Sequence, residues 1–183
     1  MSRIRGRRQP NLQLDDVLKP EKLRALKSGT DVEVASYKGE NLQMEARLRV
    51  RPAFEEDSLH PKIVAATKAL YRDAHYRDAV LGASIALIKL VQTKSRRPDL
   101  DGVALMSTVF SKNKPILAIN KMKDKTDWDE QEGMMHLLMG AVLAIRNPRA
   151  HGLFADDPES ALEYIGFISM LAKRVDRAKR VTS

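Results

Sequence analysis

The sequence contains no cysteine, which excludes disulfide bonds, thiolate nucleophiles and cysteine-based zinc sites. It has no run of about 18 consecutive apolar residues, so it predicts no membrane-spanning helix. The basic residues near the start are followed by Gln9-Pro10-Asn11 instead of an apolar segment, which argues against a secretory signal peptide. A glycine-rich phosphate-binding loop and a Ser-His-Asp order suited to hydrolysis are also absent. We therefore expect a cytoplasmic protein.

Positive charge is the main bias of the composition. The 183 residues carry a net charge of +8, with a pI near 9.8, and this balance favours polyanionic partners, nucleic acid first. The excess is concentrated at the two ends, in Arg3, Arg5, Arg7, Arg8, Lys173, Arg174, Arg177, Lys179 and Arg180. Basic ends can equally serve solubility alone, so charge by itself leaves both interpretations open.

Length and composition predict one main domain with an N-terminal extension. Hydrophobic residues at 43% and charged residues at 31% are typical of a soluble globular protein. The hydrophobic pattern changes at a polar hinge, which divides the chain into an extension over residues 1–57 and a helical domain over residues 58–180.

The extension is predicted to contain a basic arm, a short helix and a β-hairpin. The helix covers residues 20–27 and begins with a proline. Alternating apolar and polar residues over 42–50 predict one strand, Val32 and Val34 predict its partner, and residues 37–40 predict the turn. A lone hairpin is only marginally stable in water, so we expect it to dock on the helical domain or on another subunit.

The helical domain is predicted to be an all-α, up-down bundle of about five main helices with short connections. The first is capped by Ser58 or His60, and the others cover residues 76–94, residues 103–110, Thr126 or Asp127 to Arg146, and a segment capped by Asp156 or Asp157. Residues 111–125 predict a loop with a fragment of helix. Pro148 restricts Asn147, so the fourth helix is expected to end at Arg146.

Small residues line part of the second predicted helix, at Ala79, Gly82, Ala83 and Ala86. Small side chains permit a close approach between helices. They predict packing either against a second copy of the chain or against the chain's own core.

The segment Arg146-Asn147-Pro148-Arg149-Ala150-His151 places an arginine and a histidine at the predicted end of the central helix. Imidazole is suited to moving protons near neutral pH, and guanidinium offers a two-pronged donor for phosphate. The pair is a minimal set of groups for cleaving RNA without a metal ion. The alternative is structural, because the helix macrodipole favours an arginine in the last turn and His151 is then an ordinary surface residue.

These residues resemble the HEPN superfamily, all-α domains of which many are metal-independent ribonucleases of defence and toxin systems. The resemblance covers residues 58–178 and is closest to the Ymh-type branch of prophages and mobile elements. It rests on three blocks, His75-Tyr76-x-x-Ala79-Val80, Asp101-Gly102-x-x-Leu105-Met106-x-x-x-Phe110-Ser111, and Gly140-Ala141 leading into residues 146–151. One departure is residues 86–90, where many relatives carry a glutamate and this chain has no acid.

The resemblance implies an RNA endonuclease that leaves a 2′,3′-cyclic phosphate, acting in a toxin or phage-defence (abortive infection) setting. His151 would be the general base or acid, Arg146 would hold the phosphate, and Asn147 would contact the phosphate or orient the imidazole. A homodimer would bring two copies of the pair into one cleft, with no cofactor and no metal, and a partner protein could come from the same system. The residues expected to attract RNA are Arg149, Arg3, Arg5, Arg7 and Arg8.

Two alternatives stay open beside this hypothesis. A non-catalytic member would be a helical adaptor that dimerises and binds nucleic acid or a partner protein, and the missing glutamate and the unassigned extension favour it. A zinc site from His75, His136 and His151 lacks the spacing of a short ligand motif. We instead expect His75 to cap or pack and His136 to be a core or interface histidine.

Overall fold

A computed structural model describes residues 32–34, 48–50, 54–152 and 155–181. The chain divides into two units, Met1–Ala53 and Phe54–Ser183.

The first unit contains an antiparallel strand pair, β1 (Val32–Val34) and β2 (Leu48–Val50). Val32 lies opposite Val50, and Val34 lies opposite Leu48. The antiparallel pairing of these two segments is therefore observed, while residues 42–47 of the predicted strand lie outside the described residues. The predicted helix over residues 20–27, the turn over 37–40 and the basic arm lie outside the described residues.

The second unit is a helical bundle, as predicted. Its elements are α1 (Pro61–Arg72), α2 (Tyr76–Ser95), α3 (Gly102–Val109), β3 (Leu117–Ala118), α4 (Lys125–Gly140), a π-helical segment (Ala141–Arg146), α5 (Asn147–His151), α6 (Pro158–Arg177) and β4 (Lys179–Arg180). Helix α2 contacts α1, α3, α6 and the π segment, whereas the helix called central in the sequence analysis is α4 with its π-helical continuation. Within the part of the chain that the structure describes, no helix combines the length and the apolar character needed to cross a membrane.

The small residues of α2 pack inside the chain itself. Ala79 and Ala83 have no exposed surface. A Cβ atom added at Gly82 would lie 2.9 Å from the carbonyl oxygen of Ala66 on α1, closer than real Cβ atoms approach backbone. Of the two predicted uses of this stripe, packing against the chain's own core is the one observed, because α1 approaches α2 too closely for a larger side chain.

The central helix begins earlier than predicted. Its N-cap is Asp124, whose carboxylate accepts a hydrogen bond of 3.0 Å from the backbone N–H of Asp127, so the prediction of a cap at Thr126 or Asp127 was wrong. The side chain of Gln131 is fully buried one turn later and bonds the backbone of Phe110, Leu117 and Ile119. These bonds attach the preceding segment to α4.

Residues 111–124 contain no helical fragment, which corrects the prediction for this segment. Leu117 and Ala118 instead form β3, which pairs antiparallel with Lys179 and Arg180 of β4. A partner more than sixty positions away in the sequence satisfies the backbone groups here, and a local pattern carries no information about such a partner.

The helix does not end at Arg146, and Pro148 does not stop it. The backbone passes through the π segment, in which the N–H of Asn147 bonds the carbonyl of Val142, and continues as α5 to His151. A proline interrupts an α-helix because it lacks an N–H and its ring meets the carbonyl four residues earlier. Pro148 lies in the first turn of α5, at the junction with the wider π segment, where the helix does not require an N–H from this residue.

The last helix confirms the prediction at its start. The carboxylate of Asp157 caps α6 by accepting a hydrogen bond of 2.9 Å from the N–H of Ser160, and Pro158 occupies the first turn. The apolar side of α6 is buried against α2 at Ile165, Ile168, Leu171 and Val175.

Candidate functional site

The three predicted catalytic residues lie together at the C-terminal end of the central helix. Arg146 ends the π segment, and its Nη1 donates a hydrogen bond of 3.1 Å to Oδ1 of Asn147. Asn147 and His151 are four residues apart on α5, so their side chains stand on the same face, one turn from each other. Asn147 therefore accepts a hydrogen bond from the guanidinium and shares a helix face with the imidazole, and its amide NH2 can act as a donor.

Arg146 is held from two sides while part of its guanidinium stays accessible. Its Nη2 lies 3.7 Å from a carboxylate oxygen of Asp101, and its Nη1 bonds Asn147. Its Nε is buried and has no hydrogen-bond partner among the described residues. The side chain of Arg146 is 26% exposed, and an accessible guanidinium can donate to a phosphate oxygen.

His151 is exposed at the end of α5. The helix ends there at Gly152, whose N–H bonds the carbonyl of Pro148 at 2.9 Å. A Cβ atom added at Gly152 would lie 2.8 Å from that same carbonyl oxygen. A side chain at position 152 would therefore displace the turn that presents the imidazole to solvent.

Arg149 does not occupy the position that the sequence suggested. Attraction of RNA requires an accessible side chain, but Arg149 lies within α5 and its side chain is 1% exposed. Its Nε bonds Asp156 at 2.7 Å, its Nη2 makes a second bond to that carboxylate, and its Nη1 bonds the carbonyl of Ile145 at 2.9 Å. A buried guanidinium engaged in this way cannot reach an RNA phosphate in this conformation, so the RNA-binding assignment of Arg149 is not retained.

The surroundings of Arg149 make it part of the scaffold under the site. Its guanidinium carbon lies 4.4 Å from the centroid of the Tyr164 ring on α6. Burial alone would lower the pKa of Arg149, but the hydrogen bonds and negative charge of Asp156, with Tyr164, outweigh burial and raise the pKa. Arg149 therefore stays charged and joins α5 to the segment before α6.

A second arginine, Arg77, holds the same helix end from α2. Its Nη2 donates to the carbonyl oxygens of Arg149 and, at 3.4 Å, of Gly152. The last carbonyls of a helix have no intrahelical partners, and a cation near them is favourable. Arg77 and Arg149 thus fix the backbone on both sides of His151.

Asp101, Arg77 and Asp156 were not predicted from the sequence to have a role, although each contacts the segment of residues 146–151. A signal existed for Asp101, because the Asp101-Gly102 pair belongs to one of the blocks on which the resemblance rests. Gly102 has a φ of +54°, a conformation that favours glycine, and it packs beside Val142 of the π segment. Arg77 and Asp156 had no such signal, since ordinary surface ion pairs use the same residue types.

The other histidines have separate surroundings. His60 is buried and caps α1, with Nδ1 accepting from Lys62 N–H at 3.2 Å and Nε2 bonded to Asp176 at 2.9 Å. His75 occupies the N-cap position of α2, but it is exposed and its side chain makes no capping bond, so the prediction that it caps or packs was wrong. His136 is exposed, which contradicts a core position, and the alternative of an interface histidine stays a prediction. Among the described residues, no group of three or more histidine, aspartate or glutamate side chains is placed to hold a metal ion.

An exposed apolar face runs along the central helix toward the site. Leu137 and Leu143 are 44% and 54% exposed. A Cβ atom added at Gly140, between them, would have no neighbour within 4 Å. Ala144 and His151 are also exposed, while Gly140 and Asn147, which lie at intermediate positions of the same three-to-four-residue spacing, are half-buried. The apolar face therefore extends along the chain toward the candidate site.

Comparison with known proteins gives a match for the helical unit. A family model described as "Protein of unknown function (Hypoth_ymh)" matches residues 57–175. No curated protein and no solved structure matches the chain. The matched range includes the motif residues, Asp101 and Arg77, and it leaves out the strand pair of the first unit.

Proposed function

The chain belongs to the Hypoth_Ymh family, and we propose that it is a metal-independent RNA endonuclease of the HEPN type that acts in a toxin or phage-defence system. The observation that carries the proposal is the grouping of Arg146, Asn147 and His151 at one helix end. There an accessible guanidinium and an exposed imidazole flank an amide donor. Net positive charge supports RNA as the substrate.

The proposed reaction is attack of a ribose 2′-oxygen on the adjacent phosphorus. The bond from O2′ to phosphorus forms and the bond from phosphorus to O5′ breaks, which leaves a 2′,3′-cyclic phosphate and a 5′-hydroxyl. One imidazole accepts the 2′-hydroxyl proton, and a second group donates a proton to O5′. Arg146 stabilises the charge that develops on the phosphate oxygens, and the amide NH2 of Asn147 donates to the phosphate or orients His151.

Each chain supplies one such imidazole, so we propose that a homodimer completes the site with His151 from both copies. A two-fold axis supplies the second copy without any further sequence. The apolar face of Leu137, Gly140, Leu143 and Ala144 supports a second copy as its occupant, because this face leads directly to Asn147 and His151. A partner helix seated there would bring its own motif close to the first.

A negative charge on this face should separate the dimer. We expect Leu143→Asp to sediment as a monomer at micromolar concentration and to lose RNA cleavage, because an unpaired carboxylate would be buried in an apolar contact. Ile85→Asp is the matched control, since Ile85 is a similarly exposed apolar residue, at 41%, on α2. A dimer that survives Leu143→Asp and dissociates in Ile85→Asp would place the interface elsewhere.

The N-terminal arginines are expected to contribute nonspecific RNA affinity. Deleting residues 1–9 removes four arginines and no acid. Each phosphate contact on a single strand contributes about 0.7 to the slope of log affinity against log salt, so the slope should flatten by up to about 3. Replacing the four arginines with lysines should preserve the slope. An unchanged slope in the deletion would assign the arm to a protein partner or to solubility.

Digestion of single-stranded RNA in the presence of a chelator tests the activity itself. The expected products carry a 2′,3′-cyclic phosphate and a 5′-hydroxyl, and an RNA with 2′-O-methyl groups throughout should resist cleavage because its nucleophile is blocked. Intact RNA after incubation with a folded, dimeric protein would contradict the proposal. That result would favour a non-catalytic helical adaptor that binds nucleic acid or a partner protein.

A further inference from the structure

The carboxylate of Asp101 is placed for a role at the candidate site. Asp101 is the N-cap residue of α3, but its side chain makes no capping hydrogen bond. It lies instead 3.7 Å from Nη2 of Arg146. A cap aspartate ordinarily accepts from the first turn of its own helix, so capping does not account for this orientation.

The backbone around Asp101 fixes where the carboxylate stands. Gly102 follows it with a φ of +54°, and the position of its missing Cβ faces Cγ1 of Val142 at 3.7 Å. Val142 is fully packed in the π segment that ends at Arg146. The start of α3 therefore rests directly on the segment that carries the guanidinium, and the distance between Asp101 and Arg146 is set by core packing.

We propose that Asp101 is a positioning residue for Arg146. This inference rests on the proposed function, in which Arg146 holds the phosphate. Asp101 and Asn147 engage the two Nη groups, and burial encloses Nε, so the guanidinium is confined to one orientation before substrate arrives. A preoriented donor needs no reorganisation when charge develops on a phosphate oxygen. In this chain, which has no acid over residues 86–90, Asp101 supplies the carboxylate beside the motif arginine.

The ion pair between Asp101 and Arg146 is not expected to stabilise the fold. The side chain of Asp101 is 58% exposed, and exposed ion pairs contribute little to stability. Asparagine is as good an N-cap residue as aspartate. Asp101→Asn should therefore fold normally and remove only the charge that orients Arg146.

The test compares Asp101→Asn with Asp99→Asn. Asp99 lies two residues earlier on the same loop, is also 58% exposed and pairs with Arg97. In the wild-type protein, NMR should show a slowly exchanging Nε–H signal for Arg146, because that group is buried. Hydrogen exchange of this signal should accelerate at least about tenfold in Asp101→Asn, because a guanidinium without this ion pair moves more freely and exposes Nε–H to solvent more often. The exchange rate should not change in Asp99→Asn.

Kinetics supply the second readout. A misplacement of about 1 Å can lower a rate by about 10²-fold, so kcat on RNA should fall by that order in Asp101→Asn while KM stays within about twofold. Asp99→Asn should cleave like the wild type. The pH profile should keep its shape in both variants. Loss of one limb of the profile in Asp101→Asn would overturn the positioning role and make Asp101 itself the proton carrier.

The two readouts separate this inference from the proposed function. If the wild-type protein cleaves no RNA, the proposed function fails, and the exchange of the Arg146 Nε–H still decides whether Asp101 orients the guanidinium. Equal exchange rates in wild type and Asp101→Asn would overturn the inference even if RNA cleavage is confirmed.

Discussion

Replacing His151 with alanine is expected to lower the rate of RNA cleavage by about 10²–10⁴-fold, the usual contribution of a general acid or base. The melting temperature should stay within a degree or two, because His151 is exposed and surface substitutions usually change stability by less than about 0.5 kcal/mol. Gel analysis of RNA products and circular dichroism on the same preparations check both parts.

Arg146→Lys is the companion variant for this prediction. Lysine keeps the positive charge but loses the planar fork, so a phosphate clamp should fail where a simple cation at a helix end would not. If activity in either variant merely follows the folded fraction, Arg146 and His151 are structural and the catalytic assignment is wrong.

The largest loss of stability is expected from Asp156→Asn. This substitution keeps the shape of the side chain but leaves the buried Arg149 guanidinium without its counter-charge. Removing one partner of a buried ion pair typically destabilises a protein by about 3–5 kcal/mol. The melting temperature should fall by on the order of 10 °C for a domain of this size, as measured by thermal unfolding.

The neighbouring Asp157→Asn is the control for that experiment. Asp157 is exposed and caps α6, and asparagine caps as well as aspartate does. Its unfolding free energy should change by less than about 0.5 kcal/mol. Equal stability of the two variants would mean that the pair of Arg149 and Asp156 contributes little, and that other contacts hold the helix end.

The difference between Arg146 and Arg149 shows which features of the site can be predicted from the sequence. Both arginines lie in one six-residue segment and have the same chemistry. Arg146 donates to Asn147 and stays partly exposed, whereas Arg149 is buried, paired with Asp156 and stacked on Tyr164. Arg149 is oriented by Asp156 and Tyr164, seven and fifteen positions later in the sequence, whereas Arg146 is oriented by Asp101, 45 positions earlier.

The helix ends that were predicted correctly are those that depend only on residues a few positions away in the sequence. Pro61 and Pro158 begin helices in a way that depends on proline's own geometry, and Asp157 caps through a residue three positions on. Apolar spacing identified the buried side of α6 for the same reason. The motif residues were also visible, because imidazole and guanidinium keep their chemistry in any fold.

Tertiary structure alone decided the remaining features. Pro148 should end a helix by local rules, yet the π segment before it carries the chain on to His151, since packing against α2 and α3 holds that segment in place. Asp101 reaches Arg146 across 45 positions because α3 rests on Val142. Sequence by itself determined the helical class and identified the side chains proposed to react. Contacts between distant segments determined which of those groups face solvent, because burial and orientation depend on neighbours that only the folded chain brings together.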